Sequence, residues 1–343
     1  MRGLAGLPDG LVRALVREPV AIDGQQLHAE VQLILKLLEL AGEPPIETLP
    51  VTEARAQVAG DARAFEGAKP QVARAEQITV DGAAGPLGAR LYVPDEAGET
   101  GGLLVYFHGG GFVVCDLETH DNTCRSLARE AGTRVLSVDY RLAPEHPSPA
   151  AIEDAAAAFA FAVEHASELG ADPARVAVGG DSAGGNLAAG VALSAAAGDG
   201  PAPAFQLLFS PWLDLSRKRE SYRLFGEGFF LTEATLDWYA RHYLAEADEA
   251  LDERCSPLLA EKLDGIAPAY ITTAGFDPLR DDGEEYAQRL RAAGVPVALC
   301  RHAGLIHGFV NAIGVGHTGR EALIEAAGAL RVGLALAPAS LGV

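Results

Sequence analysis

A serine stands between two glycines in Gly180-Asp181-Ser182-Ala183-Gly184, where an apolar β-branched run gives way to an Ala-rich helical pattern. This order predicts a strand, a tight turn and a helix, with the Ser182 hydroxyl presented at the turn. Side chains at positions 180 and 184 would collide where the strand and helix nearly touch, and glycine avoids that collision. A serine placed in this way is a candidate nucleophile for acyl transfer.

A second glycine-rich turn, His108-Gly109-Gly110-Gly111-Phe112, directly follows the apolar run 103–107. Backbone N–H groups of consecutive glycines can converge on a developing negative charge, because no Cβ stands in the way. The N–H of Ala183, the residue after the serine, would complete such an oxyanion hole. Phosphate binding is the competing use of such a turn, but no G-x-G-x-x-G follows a strand and no G-K-[ST] occurs.

A serine hydroxyl needs a base to remove its proton, and in this chain order the base follows the serine. The candidates are His242, His302, His307 and His317. Position favours His307, because it lies just past the last predicted strand, at the carboxyl edge of the sheet. His302 would end that strand, and His242 belongs to a predicted lid.

The carboxylate that orients the histidine should also lie at this edge of the sheet. Asp277 is the first acidic residue of the loop that follows the strand ending at Thr273, and it comes before Pro278 directs the chain onward. Asp281 and Asp282 open the next helix, where acidic residues often simply favour the helix dipole. Position therefore favours Asp277 as the partner of the histidine.

The elements that must position these residues alternate between strand and helix. Predicted strands cover 103–107, 134–138, 175–178, 205–209, 269–273 and 295–300, after an antiparallel hairpin of 77–80 with 89–93. Predicted helices cover 121–131, 149–169, 186–197, 283–293 and 321–336. We therefore predict an α/β fold with a mostly parallel, doubly wound, eight-stranded sheet and right-handed crossovers.

Two parts of the chain depart from this alternation and predict a helical cap. Residues 1–60 are predicted to be helical, with an apolar stripe over 27–38 that stops at Gly42 and Pro44-Pro45. The aromatic-rich stretch after Trp212 has no predicted strand, and its amphipathic run 232–244 predicts either core packing or a lid. The predicted division is cap 1–60, core 61–214, cap 215–250 and core 251–343.

Composition limits the partners and the compartment. The 343 residues carry a net charge of −20, which repels phosphate backbones and anionic lipid, so we expect no nucleic-acid and no membrane partner. No apolar run reaches the about 18 residues of a membrane helix, and the first four residues resemble no signal peptide, so we predict a cytoplasmic protein. We expect no metal and no organic cofactor, and the cysteines to be buried structural thiols: Cys115, Cys124, Cys255 and Cys300.

Five motifs in this order resemble the hormone-sensitive-lipase-like family of α/β hydrolases, and the G-D-S-A-G sequence resembles its bacterial branch. They are H-G-G-G-F at 108–112, D-Y-R-L-A-P-E at 139–145, G-D-S-A-G-G-N at 180–186, D-P-L-R-D at 277–281 and H-G-F at 307–309. The resemblance covers residues 103–343 and implies a serine carboxylesterase. It implies Ser182, Asp277 and His307 as a triad, and Gly110, Gly111 and Ala183 as oxyanion donors. It also implies a homodimer through the edge strand near Val295–Cys300, because such dimers are common in that branch.

The expected substrate is a small ester. We predict short acyl chains of about C2 to C6, because the chain shows no long apolar patch suited to a lipid interface. The residues predicted to line the pocket are His108, Gly109, Phe112, Asp181, Phe230 and Trp238. Two alternatives remain: an amidase, peptidase or lactonase would use the same triad, and a non-catalytic relative would bind a small molecule but would have lost the triad histidine.

Overall fold

The computed structural model describes residues 9–16, 18–96, 98 and 101–337. The first four residues, for which a prediction was made, lie outside the described residues. So do the parts of the predicted segments 1–60, 61–214 and 251–343 that fall on 1–8, 17, 97, 99–100 and 338–343.

Eight described strands form the central sheet. A separate small hairpin consists of β1 (Ala21–Ile22) and β2 (Gln25–Gln26). The central sheet contains β3 (Arg74–Gly82), β4 (Gly85–Val93), β5 (Gly101–Phe107), β6 (Arg134–Val138), β7 (Ala171–Asp181), β8 (Gln206–Phe209), β9 (Ala269–Phe276) and β10 (Val297–Ile306). Their spatial order is β10-β9-β8-β7-β5-β6-β4-β3, and only the pairs β3–β4 and β4–β6 are antiparallel. The predicted eight-stranded, mostly parallel sheet is confirmed.

The helices connect these strands and cover both faces of the sheet. In the described part of the chain they are α1 (Asp9–Val16), α2 (Ala29–Ala41), α3 (Val51–Phe65), α4 (Asp121–Ala131), α5 (Ala150–Glu164), α6 (Ala183–Ala196), α7 (Glu220–Phe225), α8 (Glu233–Tyr243), α9 (Arg280–Ala292) and α10 (Thr318–Leu336). None of these helices combines the length and the apolar character that a bilayer-spanning segment needs.

The sheet separates two hydrophobic cores, and β5 contributes to both. Leu103, Val105 and Phe107 face the core that also contains residues of α5, α6 and α9. Leu104 and Tyr106 face the core formed with α4 and α10. Successive side chains of a strand point to opposite faces, and a strand covered on both faces is apolar throughout. This burial explains why the sequence of β5 is a continuous apolar run.

The amino-terminal segment is not purely helical, contrary to the prediction, because the β1–β2 hairpin lies between α1 and α2. This hairpin and the residues after it contact the carboxyl-terminal parts of β9 and β10 and the start of α9. The side chain of Gln25 donates a hydrogen bond to the Gly275 carbonyl, and Asp23 pairs with Arg280 at 2.7 Å. The backbone N–H of His28 donates to the Gly304 carbonyl. We call residues 21–28 the amino-terminal arm.

The segment between β8 and β9 contains α7, α8 and no described strand, as predicted. Helix α8 coincides with the predicted amphipathic run and begins after Thr232, whose hydroxyl accepts the N–H of Thr235 at 3.1 Å. Trp238 and Tyr243 on this helix are buried, and Tyr243 stacks on Phe112 with the ring centroids 3.9 Å apart. Packing of the aromatic face on the core is therefore confirmed.

Candidate active site

Ser182 lies at the turn between β7 and α6, with backbone angles φ 54° and ψ −119°. A non-glycine residue in this region is strained, and the surrounding structure must hold it there. Two hydrogen bonds do so: the N–H of Ser182 donates to the Phe209 carbonyl at 2.9 Å, and its carbonyl accepts the Trp212 N–H at 3.1 Å. The turn is thus tied to the end of β8 and to the segment that follows it.

The two glycines flanking the serine are required by close backbone contacts, as predicted. A Cβ built on Gly180 would lie 2.4 Å from the Phe107 carbonyl oxygen, and one built on Gly184 only 1.9 Å from the same atom. Since the obstructing atom belongs to the backbone of β5, it cannot move aside as a flexible side chain could. Strand β5 therefore limits both positions to glycine.

His307 directly follows β10, and its Nδ1 lies 2.8 Å from Oδ2 of Asp277. Asp277 is completely buried just past β9, and its Oδ1 accepts the N–H of Leu279 at 2.8 Å. Burial alone lowers the pKa of His307, but the charge of Asp277 and its hydrogen bond outweigh burial, so this pKa lies above its ordinary value. The Nδ1 proton faces the carboxylate, which leaves Nε2 as the available base.

The other three candidate histidines have different partners. His242 lies on α8 and packs against Trp238, with the ring centroids 4.6 Å apart. His302 lies within β10, because this strand continues past its predicted end to Ile306. The strand also begins two residues later than predicted. His317 pairs with Glu30 at 3.1 Å. Of the candidates, the structure brings His307 together with Asp277.

The two carboxylates at the start of α9 differ from each other. Asp281 is partly exposed, but Asp282 is completely buried. One Asp282 oxygen accepts the N–H groups of Leu213 and Asp214, at 3.2 and 3.1 Å, and the other accepts a bond from Arg219 at 2.9 Å. The expectation that Asp282 merely favours the helix dipole is wrong, because this carboxylate anchors the segment after β8.

Ser182 and His307 line one cavity of ≈ 990 Å³. Four other residues named above lie on its wall: Gly110, Gly111, Asp181 and Phe230. The cavity continues between α2, α3 and α8, where the wall is apolar and includes Val31, Ile34, Val58, Phe65, Leu236 and Tyr239. Both parts of the predicted cap thus contribute to this wall.

Four residues predicted to line the pocket do not line it: His108, Gly109, Phe112 and Trp238. Phe112 is completely buried beneath the wall, where it stacks on Tyr243. Trp238 is 5% exposed, and its neighbour Tyr239 lines the cavity instead. Adjacent residues of a helix point about 100° apart, so Trp238 can turn toward the core while Tyr239 faces the cavity.

His108 and Gly109 are displaced from the wall by their own contacts. The His108 ring is completely buried and stacks on Tyr140, with the centroids 4.4 Å apart. Burial, together with the nearby His120, lowers the pKa of His108 to about 4, so its ring is neutral at pH 7. The N–H of Gly109 donates to Asp181 Oδ1 at 3.1 Å.

Two glycines of the same turn have positive φ angles, a conformation that favours glycine. Gly110 has φ 106° and Gly111 φ 59°, and a Cβ on Gly111 would lie 2.1 Å from the ring of Tyr239. Both glycines lie on the cavity wall with Ser182. Helix α6 begins at Ala183, and the first N–H groups of a helix have no carbonyl partner within it. These N–H groups can stabilise an oxyanion beside the serine.

A polar network that no sequence motif indicates surrounds Asp181. One oxygen of this buried carboxylate accepts bonds from Gly109 N–H and from the Tyr106 hydroxyl at 2.7 Å. The other faces Nε2 of His120 at 3.2 Å and the amide of Asn311 at 2.9 Å. Burial opposes ionisation, but His120, Tyr106 and Asn311 outweigh it and hold the pKa of Asp181 well below its ordinary value. The carboxylate thereby fixes the glycine turn next to the nucleophile.

Comparisons with known proteins agree on the kind of enzyme this site resembles. Residues 104–311 match the model of a family described by the α/β hydrolase fold. The carboxylic ester hydrolase LipN of Mycobacterium tuberculosis is 47% identical over 326 residues, which is 92% of this chain and 85% of that protein. The ethyl acetate hydrolase of Pseudomonas putida is 37% identical, over 89% of this chain and 98% of its own.

The fold of a solved ester hydrolase is also similar. This enzyme comes from the metagenome of Lake Arreo, and its structure contains a derivative of bipyridine phosphonate. It is 42% identical to the present chain and superimposes with a TM-score of 0.87, over 89% of this chain and 98% of its own.

Proposed function

Because the chain belongs to the hormone-sensitive-lipase-like family of α/β hydrolases and is a carboxylic ester hydrolase, we propose that Ser182, His307 and Asp277 are its catalytic triad. The observation that supports this assignment is the 2.8 Å contact between His307 and the buried Asp277, at a cavity that Ser182 also lines. The strained backbone of Ser182 adds to it, because strain of this kind concentrates at functional sites.

The proposed reaction proceeds through an acyl-enzyme. Ser182 Oγ attacks the ester carbonyl carbon while Nε2 of His307 takes the hydroxyl proton, and Asp277 stabilises the imidazolium that forms. The negative oxygen of the tetrahedral intermediate is stabilised by the N–H groups of Gly110, Gly111 and Ala183. When the intermediate collapses, His307 gives its proton to the departing alcohol. Water then repeats the sequence on the acyl group, releases the acid and restores Ser182.

The proposed substrates are esters with a short acyl group of about C2 to C6 and an alcohol part of variable size. The short acyl group is supported by similarity to the ethyl acetate hydrolase. Such an acyl group fills only a small part of the ≈ 990 Å³ cavity, which leaves room for a bulky alcohol. We expect kcat/KM to fall when the acyl chain is lengthened toward C12, and to change little when the alcohol is enlarged at constant acyl length. A steady rise toward C12 would contradict it.

The cap and the assembly belong to the same proposal. A cap formed by residues 1–60 and 215–250 is supported by the cavity wall, to which α2, α3 and α8 contribute. A homodimer is supported by the position of β10 at one edge of the sheet, where a second copy could continue it. The charge of −20 and the four unpaired cysteines support a cytoplasmic protein without nucleic-acid partners.

A phosphonate ester that leaves a stable adduct on an activated serine tests the triad. We expect one adduct per chain, located on Ser182 by peptide mass spectrometry, and no adduct in the Ser182→Ala variant. An adduct on another residue would reject the assignment. Matched esters, anilides and lactones of the same acyl group then separate the reaction classes, and we expect the ester to have the highest kcat/KM. A faster anilide or lactone would show that the enzyme is an amidase or a lactonase.

A further inference from the structure

Three side chains of types that bind metals lie together outside the active-site cavity. Cys300 and His302 stand two residues apart on the edge strand β10, so both point to the same face of the sheet. Helix α10 covers that face and contributes Glu325. One sulfur, one imidazole nitrogen and one carboxylate oxygen all lie within 4.8 Å of one another. None of the three residues lines the cavity of Ser182.

One nitrogen of this cluster lacks a hydrogen-bonding partner, and the carboxylate is held by a neighbouring tyrosine. The Nε2 atom of His302 is buried and has no hydrogen-bonding partner in the part of the chain that the structure describes. The hydroxyl of Tyr270, on the neighbouring strand β9, donates to Oε1 of Glu325 at 2.9 Å. The Cys300 thiol also hydrogen-bonds to Glu325 and to Tyr270. Tyr270 thus orients the carboxylate, as the outer partners of metal ligands commonly do.

We propose that Cys300, His302 and Glu325 bind a divalent cation of borderline softness, with Zn²⁺ as the best match. A thiolate, an imidazole and a carboxylate are the ligands that Zn²⁺ takes in proteins, usually with tetrahedral geometry. In such a site neighbouring ligand atoms are about 3.5 Å apart. Separations within 4.8 Å therefore need only small side-chain rotations to reach that geometry. On binding, the sulfur–metal bond replaces the S–H bond of Cys300, and the proton passes to solvent.

The cation would tie the edge strand to α10. Three protein ligands leave a fourth position for water, but the cluster lies apart from the cavity, so the cation has no part in ester hydrolysis. Its effect is on the conformational stability of β10, the strand after which His307 follows directly. The proposal replaces two expectations: that the chain binds no metal, and that Cys300 is a buried structural thiol, since Cys300 is partly exposed.

Titration of the reduced, chelator-treated protein with Co²⁺ tests the site, because a thiolate bound to cobalt gives a charge-transfer absorption in the near ultraviolet. We expect this band to saturate at one Co²⁺ per chain, and excess Zn²⁺ to remove it. The variants Cys300→Ser, His302→Asn and Glu325→Gln should each weaken Zn²⁺ binding by about 100-fold or more, since loss of even an outer partner costs up to that factor.

Matched variants separate this site from adventitious binding. Cys115→Ser removes the other partly exposed thiol, and Glu321→Gln removes an exposed carboxylate one turn away on α10. Both should bind Co²⁺ and Zn²⁺ like the unmodified chain. A charge-transfer band that is absent, that persists in Cys300→Ser, or that disappears in Cys115→Ser would overturn the proposal.

Thermal unfolding gives a second readout. At a Zn²⁺ concentration about 100 times Kd, we expect Tm to rise by about 3 to 4 °C in the unmodified chain, for a domain of this size. Cys300→Ser should show no rise, whereas Glu321→Gln should show the full rise. An equal shift in Cys300→Ser would place the cation elsewhere. These measurements do not depend on esterase activity, so they remain decisive even if the triad assignment fails.

Discussion

Three acidic residues within six positions provide a direct test of the site, because the structure gives them different tasks. Asp277 faces His307, Asp282 anchors the segment after β8, and Asp281 is partly exposed. We expect the substitutions Asp277→Asn, Asp282→Asn and Asp281→Asn to separate activity from stability. The first should reduce the rate, the second should reduce the stability, and the third should change neither much.

The effect of Asp277→Asn follows from the two bonds of this carboxylate. An asparagine can keep the carbonyl oxygen that accepts the Leu279 N–H, so its amide nitrogen turns toward Nδ1 of His307. A donor at this position makes Nδ1 the acceptor and leaves the ring proton on Nε2, which is then no longer a base. We expect kcat to fall by about 10⁴, equivalent to about 5.4 kcal/mol of barrier.

The effect of Asp282→Asn falls on stability. Its amide cannot both accept two backbone N–H groups and pair with Arg219, which then keeps only Asp214 and Glu285 as partners. Removing one partner of a buried polar group costs about 1 to 3 kcal/mol. With an unfolding entropy of about 2.1 cal/mol/K for each of the 343 residues, Tm should fall by about 1 to 4 °C. For Asp281→Asn the expected cost is about 1 kcal/mol or less.

The assays are calorimetric unfolding and kcat at a temperature where all three variants are folded. The direction in which the pH profile shifts gives an independent test. Asp277 raises the pKa of His307, and the free base is the active form, so the acidic limb of kcat/KM should move to lower pH in Asp277→Asn. If kcat falls by about 10⁴ in folded Asp282→Asn but not in Asp277→Asn, the proposed partner of His307 is wrong.

Four further outcomes are expected. Ser182→Ala should lower kcat by about 10⁶ and keep the circular dichroism spectrum, and recovery of more than a few per cent of activity would place the nucleophile elsewhere. Activity should survive EDTA at unchanged kcat, even where chelation lowers Tm, and restoration by a divalent ion would contradict a metal-free mechanism. Gly184→Ala should lower Tm or prevent folding, because its Cβ would lie 1.9 Å from a carbonyl oxygen of Phe107. Gly328→Ala on α10, with nothing within 4 Å, should instead stabilise by about 0.5 to 1 kcal/mol, and equal effects of both glycine variants would refute the close-contact argument.

The sheet could be predicted from the sequence because each strand is local and its burial leaves a local pattern. The continuous apolar run of β5 is one example. The end of β10 was harder to predict. This strand continues through partly exposed residues to Ile306, because it pairs with β9 along most of its length. Pairing with a neighbour, rather than apolar character, sets that boundary.

The site was predictable where a motif fixes both chemistry and position, as for the residues around Ser182. It was not predictable where the decisive contact is distant in sequence. Asn311 reaches Asp181 across 130 positions, and Asp282 reaches Leu213 across 69. The prediction of the pocket residues was wrong for a different reason. Helical spacing alone cannot say whether Trp238 or Tyr239 faces the cavity until the helix has been placed against the core.

The amino-terminal arm has a consequence for how the protein is made. Its residues leave the ribosome well before Gly275, Arg280 and Gly304, which they contact and which follow some 250 positions later. At a synthesis rate of about 5 to 20 residues per second, the arm waits roughly 12 to 50 s for these partners. During that interval Leu27, fully buried in the finished protein, is exposed in the nascent chain. The arm is thus made long before the residues on which it docks, and a bulky fusion partner placed ahead of it would hinder a late folding step.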